Sequence, residues 1–432
     1  MNRLLTNKRF LALFLGRIIT NIGDSLYYVA SMWLVHEIGN NPFYTGLAGF
    51  LILLPKALQF LTGPFIDKWK IRRTLITTQC LEAVLVLIIP LAYFLNVLSV
   101  ELILVVMPII AFIEEFAYPT QIKALPLLLK KEDLMKGNSL FAFAYQGVDL
   151  VFNAISGIIV AVFGAITIFI IDSFTFALAA MLFALVKVST KNKTENKSEK
   201  GLSVAISEYF KDLGEGIKVV FDSLFWALLV GSLLTNFAIG ITMAILPTFA
   251  EQLGGARMYG ILLTALSAGS LTGALLGSFL GRRNIGRTTI ICFTLGALSW
   301  SSAGFVASPI FTSLLFGLAW IPIGAVNVLF AGISQSIIPN RLLGRVNSVM
   351  YSGSAISMPI GSLLGGYLAT VVRSQTIFIF AGVGALFIAI IWIIHPKLRQ
   401  LPQADKINTD TFGIRIIERE GCNPSEKCSS SN

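Results

Sequence analysis

The chain is poor in charge and poorer still in histidine. Of its 432 residues, 13% are Asp, Glu, Lys or Arg. That is about half the share of an ordinary soluble domain, and it excludes disordered, collagen-like and cytosolic globular classes. Two His (His36 and His395, both at the ends of apolar runs) and four Cys supply neither metal-ligand spacing nor a disulfide scaffold. Cys80 and Cys292 fall in apolar stretches and read as small core residues, while Cys422 and Cys428 lie in a polar tail without a neighbouring His. Paired catalytic residues, a phosphate-binding loop and a nucleotide-binding domain are all missing. An enzyme, a cofactor or metal site, and ATP-driven pumping by this chain alone are therefore not expected.

Apolar sequence fills the space that charge leaves. Hydrophobic residues make up 55% of the chain, mean hydropathy is +0.78, and 37 Gly and 32 Phe suit close-packed helices in lipid. Crossing the hydrocarbon core takes about 20 apolar residues. Twelve stretches meet or approach that length: 10–35, 44–66, 74–95, 102–118, 140–163, 166–188, 224–249, 258–280, 288–306, 310–333, 346–371 and 376–394. The runs are continuous rather than alternating, so they predict helices and not barrel strands. The expected fold is all-α, a polytopic membrane protein with twelve transmembrane helices in two six-helix bundles. The expected domains are 1–188, a linker at 189–223 holding an amphipathic helix over 206–220, 224–395, and a polar tail at 396–432 that reads as disordered. The first nine residues are short and basic, and the run after them reads as a retained span rather than a signal peptide.

The bases set the orientation. With twelve spans, 29 of the 33 Lys and Arg fall on the side that carries both termini, here called the basic side. Arg257 and Arg373 fall on the other side, and Arg17 and Lys56 lie inside spans. This predicts cytoplasmic termini and explains the net charge of +10 without nucleic acid. The halves also repeat. Residues 63–74 (GPFIDKWKIRRT) and 277–288 (GSFLGRRNIGRT) share five of twelve positions at equivalent span junctions. Parallel duplication of six spans is a transporter architecture.

The loop with Gly63, Asp67, Arg72 and Arg73 resembles the signature loop of the major facilitator superfamily. Gly16-Arg17 and Gly23-Asp24 in the first span, Leu54-Pro55, Ile171-Asp172 and Pro359-Ile360-Gly361 are similar to its drug and macrolide efflux branch. Asn153-Ala154 stands where antiporters often carry Gly-Pro in the fifth span. The resemblance implies a secondary transporter in a bacterial cell membrane, exporting an amphipathic small molecule in exchange for protons. The expected partners are that substrate, protons and membrane lipids, and the expected state is a monomer. A lipid or lysophospholipid flippase, a siderophore exporter and a non-transporting membrane receptor are the competing readings.

Ionisable groups inside spans cost roughly 2.5–3.5 kcal/mol each on insertion scales and persist where they face a cavity or a partner. Arg17, Asp24, Lys56, Glu82, Glu114, Glu115, Asp149 and Asp172 are such groups, and all lie in the first half. Asp24 is the leading proton-coupling candidate, with Glu114, Glu115 and Asp149 behind it. Arg17 is expected to pair with Glu114 or Glu115, and Lys56 with Asp24. Asp172, near the outer end of its span, is expected to reach toward the interface. Arg72 or Arg73, with Asp67, reads as a latch across the halves. Gly269, Gly273 and Gly277 read as a close-approach stripe between bundles. Tyr28, Asn236 and Asn327 are candidates for lining a substrate cavity.

Overall fold

The computed structural model describes residues 6–62, 65–66, 69–130, 133–186 and 202–414. Among them no strand occurs, and the helices follow the apolar runs. The first half contains α1 (Lys8–Gly39), α2 (Pro42–Ala57), α3 (Ile71–Phe94), α4 (Val100–Leu128), α5 (Leu134–Phe163) and α6 (Ala165–Ala184). The linker forms α7 (Leu202–Phe221). The second half contains α8 (Phe225–Leu253), α9 (Ala256–Leu280), α10 (Ile285–Ala303), α11 (Pro309–Ile337), α12 (Asn340–Ala355), α13 (Ser357–Leu368) and α14 (Ser374–Ile394), and a short α15 (Pro396–Arg399) follows. Helices α12 and α13 together make the eleventh span, giving twelve.

Six of these helices, α3, α6, α8, α9, α11 and α14, are each long and apolar enough to cross a bilayer unaided. The others carry charges, are diluted with Ser and Thr, or are interrupted, and they depend on their neighbours for burial. Several boundaries differ from expectation, and two of them lie at prolines. Helix α4 does not stop before Pro119 but runs through Pro119 and Pro126 to Leu128. Proline costs a backbone bond there, and packed neighbours tolerate the loss inside a membrane bundle. Helix α2 ends at Ala57, two residues beyond Pro55, and a 3-10 turn, Gln59–Thr62, completes the second span.

Packing repeats the sequence duplication. In the first half α1 packs on α5 and α6, α3 on α4 and α6, and α2 on α4. In the second half α8 packs on α13 and α14, α10 on α11 and α14, and α9 on α11. The halves join where α5 meets α9 and where α2 meets α13 and α8.

Glycine permits the closest of these approaches. Gly157 of α5 faces Gly260 of α9, and Gly46 of α2 faces Gly366 of α13, each with no space for a Cβ. The stripe Gly269, Gly273 and Gly277 works differently from expectation. Gly269 lies against the Gly317 carbonyl and Gly273 against the Ile321 carbonyl, both on α11 of the same half. The stripe therefore tightens one bundle and does not separate two.

The start of the tail is also ordered, contrary to expectation. Leu398, Leu401, Ile407, Phe412 and Ile414 are buried. Leu224 N–H donates to the Phe412 carbonyl at 2.9 Å, and Ala404 N–H donates to the Gly281 carbonyl at 2.9 Å. Those apolar residues are too widely spaced to form a hydropathy peak, which is why the segment reads as polar. Residues 415–432 lie outside the described residues.

Candidate functional site

Helix α1 carries two stripes. Arg17, Asn21, Asp24 and Tyr28 recur at helical spacing on one, and Gly16, Thr20, Gly23 and Tyr27 on the other. The second stripe is the back of the helix, packed into the bundle. Gly16 lies against the Phe183 ring of α6, and Tyr27 meets Phe169 edge-on at 5.9 Å. Gly23 leaves room for the carboxyl of Asp172 and the hydroxyl of Thr175, both from α6. Asp172 is thus fully buried against α1, and the expectation that it reaches the interface is corrected. Helix α6 is tucked behind α1, so an acid near its outer end still points inward.

The back also holds Glu82 of α3, 0% exposed. The Gln79 amide donates to Glu82 Oε2, and the Thr20 hydroxyl lies 2.8 Å from Gln79 Oε1 and 2.9 Å from the Gly16 carbonyl. Thr175 donates to Asp172 Oδ1 at 3.1 Å. Among the described residues the other oxygens, Glu82 Oε1 and Asp172 Oδ2, have no hydrogen-bond partner. Glu82 holds the Gln79 amide whose oxygen meets Thr20 of α1, and Asp172 is seated against Gly23 of α1, both where water does not reach.

The front of α1 faces α4. The Arg17 guanidinium stacks over the Tyr118 ring with 4.7 Å to the centroid. Glu114, Tyr118 and Gln121 form a matching stripe on α4 at steps of four and three. Asp24 and Glu114 are half-buried. Glu114, Arg17, Glu82 and Asp172 lie within electrostatic reach of Asp24. Lys56 does not stand among those neighbours; it is exposed near the end of α2, with Glu115 and Tyr28 in its reach. The base within reach of Asp24 is Arg17. Glu115 is buried on the flank of α4 beside the Gln59 turn. Two buried amides complete the front stripes, Asn21 and Gln121, and neither has a hydrogen-bond partner among the described residues. Their spacing with Arg17, Asp24 and Glu114 is visible in the sequence, but amides do not stand out when charges alone are tracked.

The remaining candidates disperse. Asp149 lies on α5, and its side chain falls outside the described ones, as do Gly63 and Asp67. Arg72 does not reach the other half. It donates to the Ala184 carbonyl through Nε at 3.0 Å and Nη2 at 2.6 Å, capping the C-terminal end of α6 in its own bundle. Arg73 is exposed. Tyr28 and Asn236 are half-buried, the Asn236 amide donating to the Ser232 carbonyl at 2.9 Å, and Asn327 is exposed on α11. No hydrogen bond joins these three among the described residues. Cys80, expected in the core, is exposed on α3. No metal-holding group of His, Cys, Asp and Glu occurs among the described residues.

A cavity of about 620 Å³ lies away from the acids. It opens at the basic ends of α9 and α11, walled by Gly277, Arg282, Val328, Gly332, Ser336 and Asp405. The buried acids rest on named contacts and weigh more as a functional site than this open hollow does.

Among the described residues, side-chain contacts fasten the halves. His36 of α1 meets Glu251 of α8 at 2.9 Å. Ser362 of α13 donates to the Gly46 carbonyl of α2 at 3.1 Å. The Asn153 amide of α5 donates to Ser267 of α9 at 3.2 Å.

The match to a known family is nearly complete. The family described as transmembrane secretion effectors, a branch of the MFS type, matches residues 4–421. The chain belongs to this transporter family. Over 420 residues it is 25% identical to YvqJ of Bacillus subtilis (strain 168), an uncharacterised MFS-type transporter, covering 95% of this chain and 97% of that protein. It is 26% identical over 423 residues to the multidrug efflux pump Tap of Mycobacterium tuberculosis (strain ATCC 25618 / H37Rv), covering 92% and 96%. It is 22% identical over 408 residues to macrolide efflux protein A of Streptococcus pyogenes, covering 91% and 97%. Among solved structures, the inward-facing, unoccupied bacterial homologue of the human lysosomal transporter Spinster superposes with a TM-score of 0.67 at 13% identity, covering 94% of this chain and 98% of that one. The nucleoside transporter NupG superposes with a TM-score of 0.67 at 11% identity, covering 89% and 98%. These two show the fold alone: twelve transmembrane helices in two bundles. The protein is a membrane-embedded transporter with bacterial relatives.

Proposed function

We propose that this transporter exports amphipathic small molecules from the bacterial cytoplasm in exchange for protons, by alternating access, with both termini in the cytoplasm. The observation that carries the reading is the front of α1. There Asp24 is half-buried, opposite Glu114 and one base, Arg17, beside two amides that lack hydrogen-bond partners among the described residues. Half-burial suits a carboxyl that exchanges protons as the bundles rock. Unsatisfied amides cost free energy unless a ligand or water meets them. The relatives named for multidrug and macrolide efflux support an amphipathic substrate.

In this reading, Asp24 gives up its proton when the basic side is open and substrate enters. The rocking step then presents the same stripe to the outside, where reprotonation of Asp24 favours release. Arg17 stabilises the charged carboxylate during the crossing, and Glu114 competes for the same proton. Tyr28 and Asn236 supply part of the substrate wall. Arg73, on the basic side, takes part in closing that side in the other state. One inward proton at about 150 mV supplies roughly 3.5 kcal/mol, a gradient of a few hundredfold.

The test is flux in proteoliposomes of the full chain, with an imposed pH gradient and a radiolabelled macrolide or a fluorescent lipophilic cation as probe. Accumulation that collapses on adding a protonophore is expected. Movement of fluorescent phospholipid but of neither probe would replace the reading with a flippase, and no flux of any of them would contradict transport of these classes.

A further inference from the structure

The segment after α15 runs across the basic side of the C-terminal half and meets helix ends there one after another. An α-helix leaves its first N–H and last C=O groups without partners inside the helix. Residues 401–412 supply such partners at four helix ends. Ala404 N–H donates to the Gly281 carbonyl at the end of α9 at 2.9 Å. At the start of α10, Ile285 and Gly286 N–H donate to the Pro402 and Leu401 carbonyls, each at 3.2 Å. The Thr409 hydroxyl donates to the Ile337 carbonyl, the last of α11, at 3.3 Å. Leu224 N–H, at the start of α8, donates to the Phe412 carbonyl at 2.9 Å, and the Phe412 ring meets Phe225 at 5.0 Å. The turn that presents Phe412 is built into the segment. Thr411 donates to Asn408 Oδ1 through its N–H at 2.8 Å and its hydroxyl at 2.6 Å, and Gly413 takes a positive φ of 68° that suits glycine.

The first half meets helix ends with side chains instead. Arg72 holds the Ala184 carbonyl at the end of α6, and Asn7 Nδ2 donates to the Leu128 carbonyl at the end of α4 at 2.9 Å. In the repeated loop, Gly286 stands at the position of Arg72. It has no side chain to reach with, and a Cβ there would fall 2.2 Å from the Arg399 carbonyl. Glycine thus lets the chain itself lie against the start of α10. We propose that residues 400–414 form a strap that acts as one unit, binding the basic-side ends of α8, α9, α10 and α11 to the end of α14. Leu401, Ile407, Phe412 and Ile414 are buried along its length, so releasing one end frees the next. On the alternating-access reading, on which this consequence alone rests, the strapped ends travel as a rigid body while the halves rock.

The test is hydrogen exchange on the full chain in nanodiscs, a readout separate from export. Phe412→Ala empties a buried ring site at one end of the strap, and Gly286→Ala crowds the other end. Each should quicken exchange about tenfold or more in both 222–226 and 281–288, while α1–α6 exchange as in the unaltered chain. Asn408→Ala changes only an exposed side chain and loosens the turn, so it should act at both places by roughly twofold to tenfold. Quickening confined to 222–226 in Phe412→Ala, or to 281–288 in Gly286→Ala, marks packing residue by residue and overturns the strap. If Phe412→Ala quickens α1–α6 equally, it has loosened the whole chain, and Asn408→Ala decides: quickening at both places supports the strap, and quickening at one place or neither overturns it.

Discussion

In the C-terminal half, Trp300, Trp320, Phe316 and Phe378 pack ring against ring, with centroids 5.2 to 6.3 Å apart. In the matching helices of the N-terminal half, Gln79, Glu82 and Asp172 are buried instead. The offset of 214 that aligns the repeated loops places Phe293 and Gly296 of α10 where α3 has Gln79 and Glu82. One architecture thus has two fillings. The aromatic filling resists rearrangement because close-packed volume cannot change cheaply. The polar filling ties α3 to α1 through the Thr20–Gln79 hydrogen bond and seats Asp172 of α6 against Gly23. In the proposed reading the N-terminal half does the energy coupling, from the front of α1, and the C-terminal half is a stiff wall.

The contrast can be broken from either side. Trp300→Ala should cause the largest loss of stability, about 3–5 kcal/mol, because it empties a large buried volume. It should lower the thermal midpoint in detergent while leaving the pH dependence of the surviving transport unchanged. Glu82→Ala should cost roughly 1–3 kcal/mol by stranding the Gln79 amide, whereas Glu82→Gln should cost less because a hydrogen-bonding side chain remains. The gap between those two midpoints measures how far the buried acid acts as a hydrogen-bonding group and not as a charge. Smallest of the three, Glu251→Gln should weaken the His36 fastening by about 0.2–1 kcal/mol, since Glu251 is 63% exposed. It should raise labelling of a cysteine placed at Thr248 by up to severalfold, reporting a shift toward opening on the side away from the termini.

Much of the fold was legible because burying backbone in lipid leaves few solutions, and the bases mark sides almost without exception. The confinement of charge to the first half was legible too. What the sequence could not show was which way each charge points. Depth along a span places Asp24 and Asp172, but it takes the packing of α6 behind α1 to make one a front residue and the other a back residue. Lys56 has Glu115 and Tyr28 in its reach, neighbours that depth along a span does not reveal. Arg72 looked like an interbundle latch because a guanidinium capping a carbonyl in its own bundle has the same sequence as one reaching across. The ordered tail rests on five scattered apolar residues, which a window average dilutes.

The central claim separates two acids within reach of each other, one in front of α1 and one behind it. Its most direct measurement is gradient-driven macrolide accumulation in proteoliposomes of Asp24→Asn beside Glu82→Gln, with downhill exchange of the same probe recorded for both. The account predicts that Asp24→Asn retains exchange and loses accumulation at least tenfold, roughly the effect of removing a coupling worth more than 1.4 kcal/mol, while Glu82→Gln accumulates as the unaltered protein does. Accumulation undiminished in Asp24→Asn, or lost in Glu82→Gln alone, contradicts it.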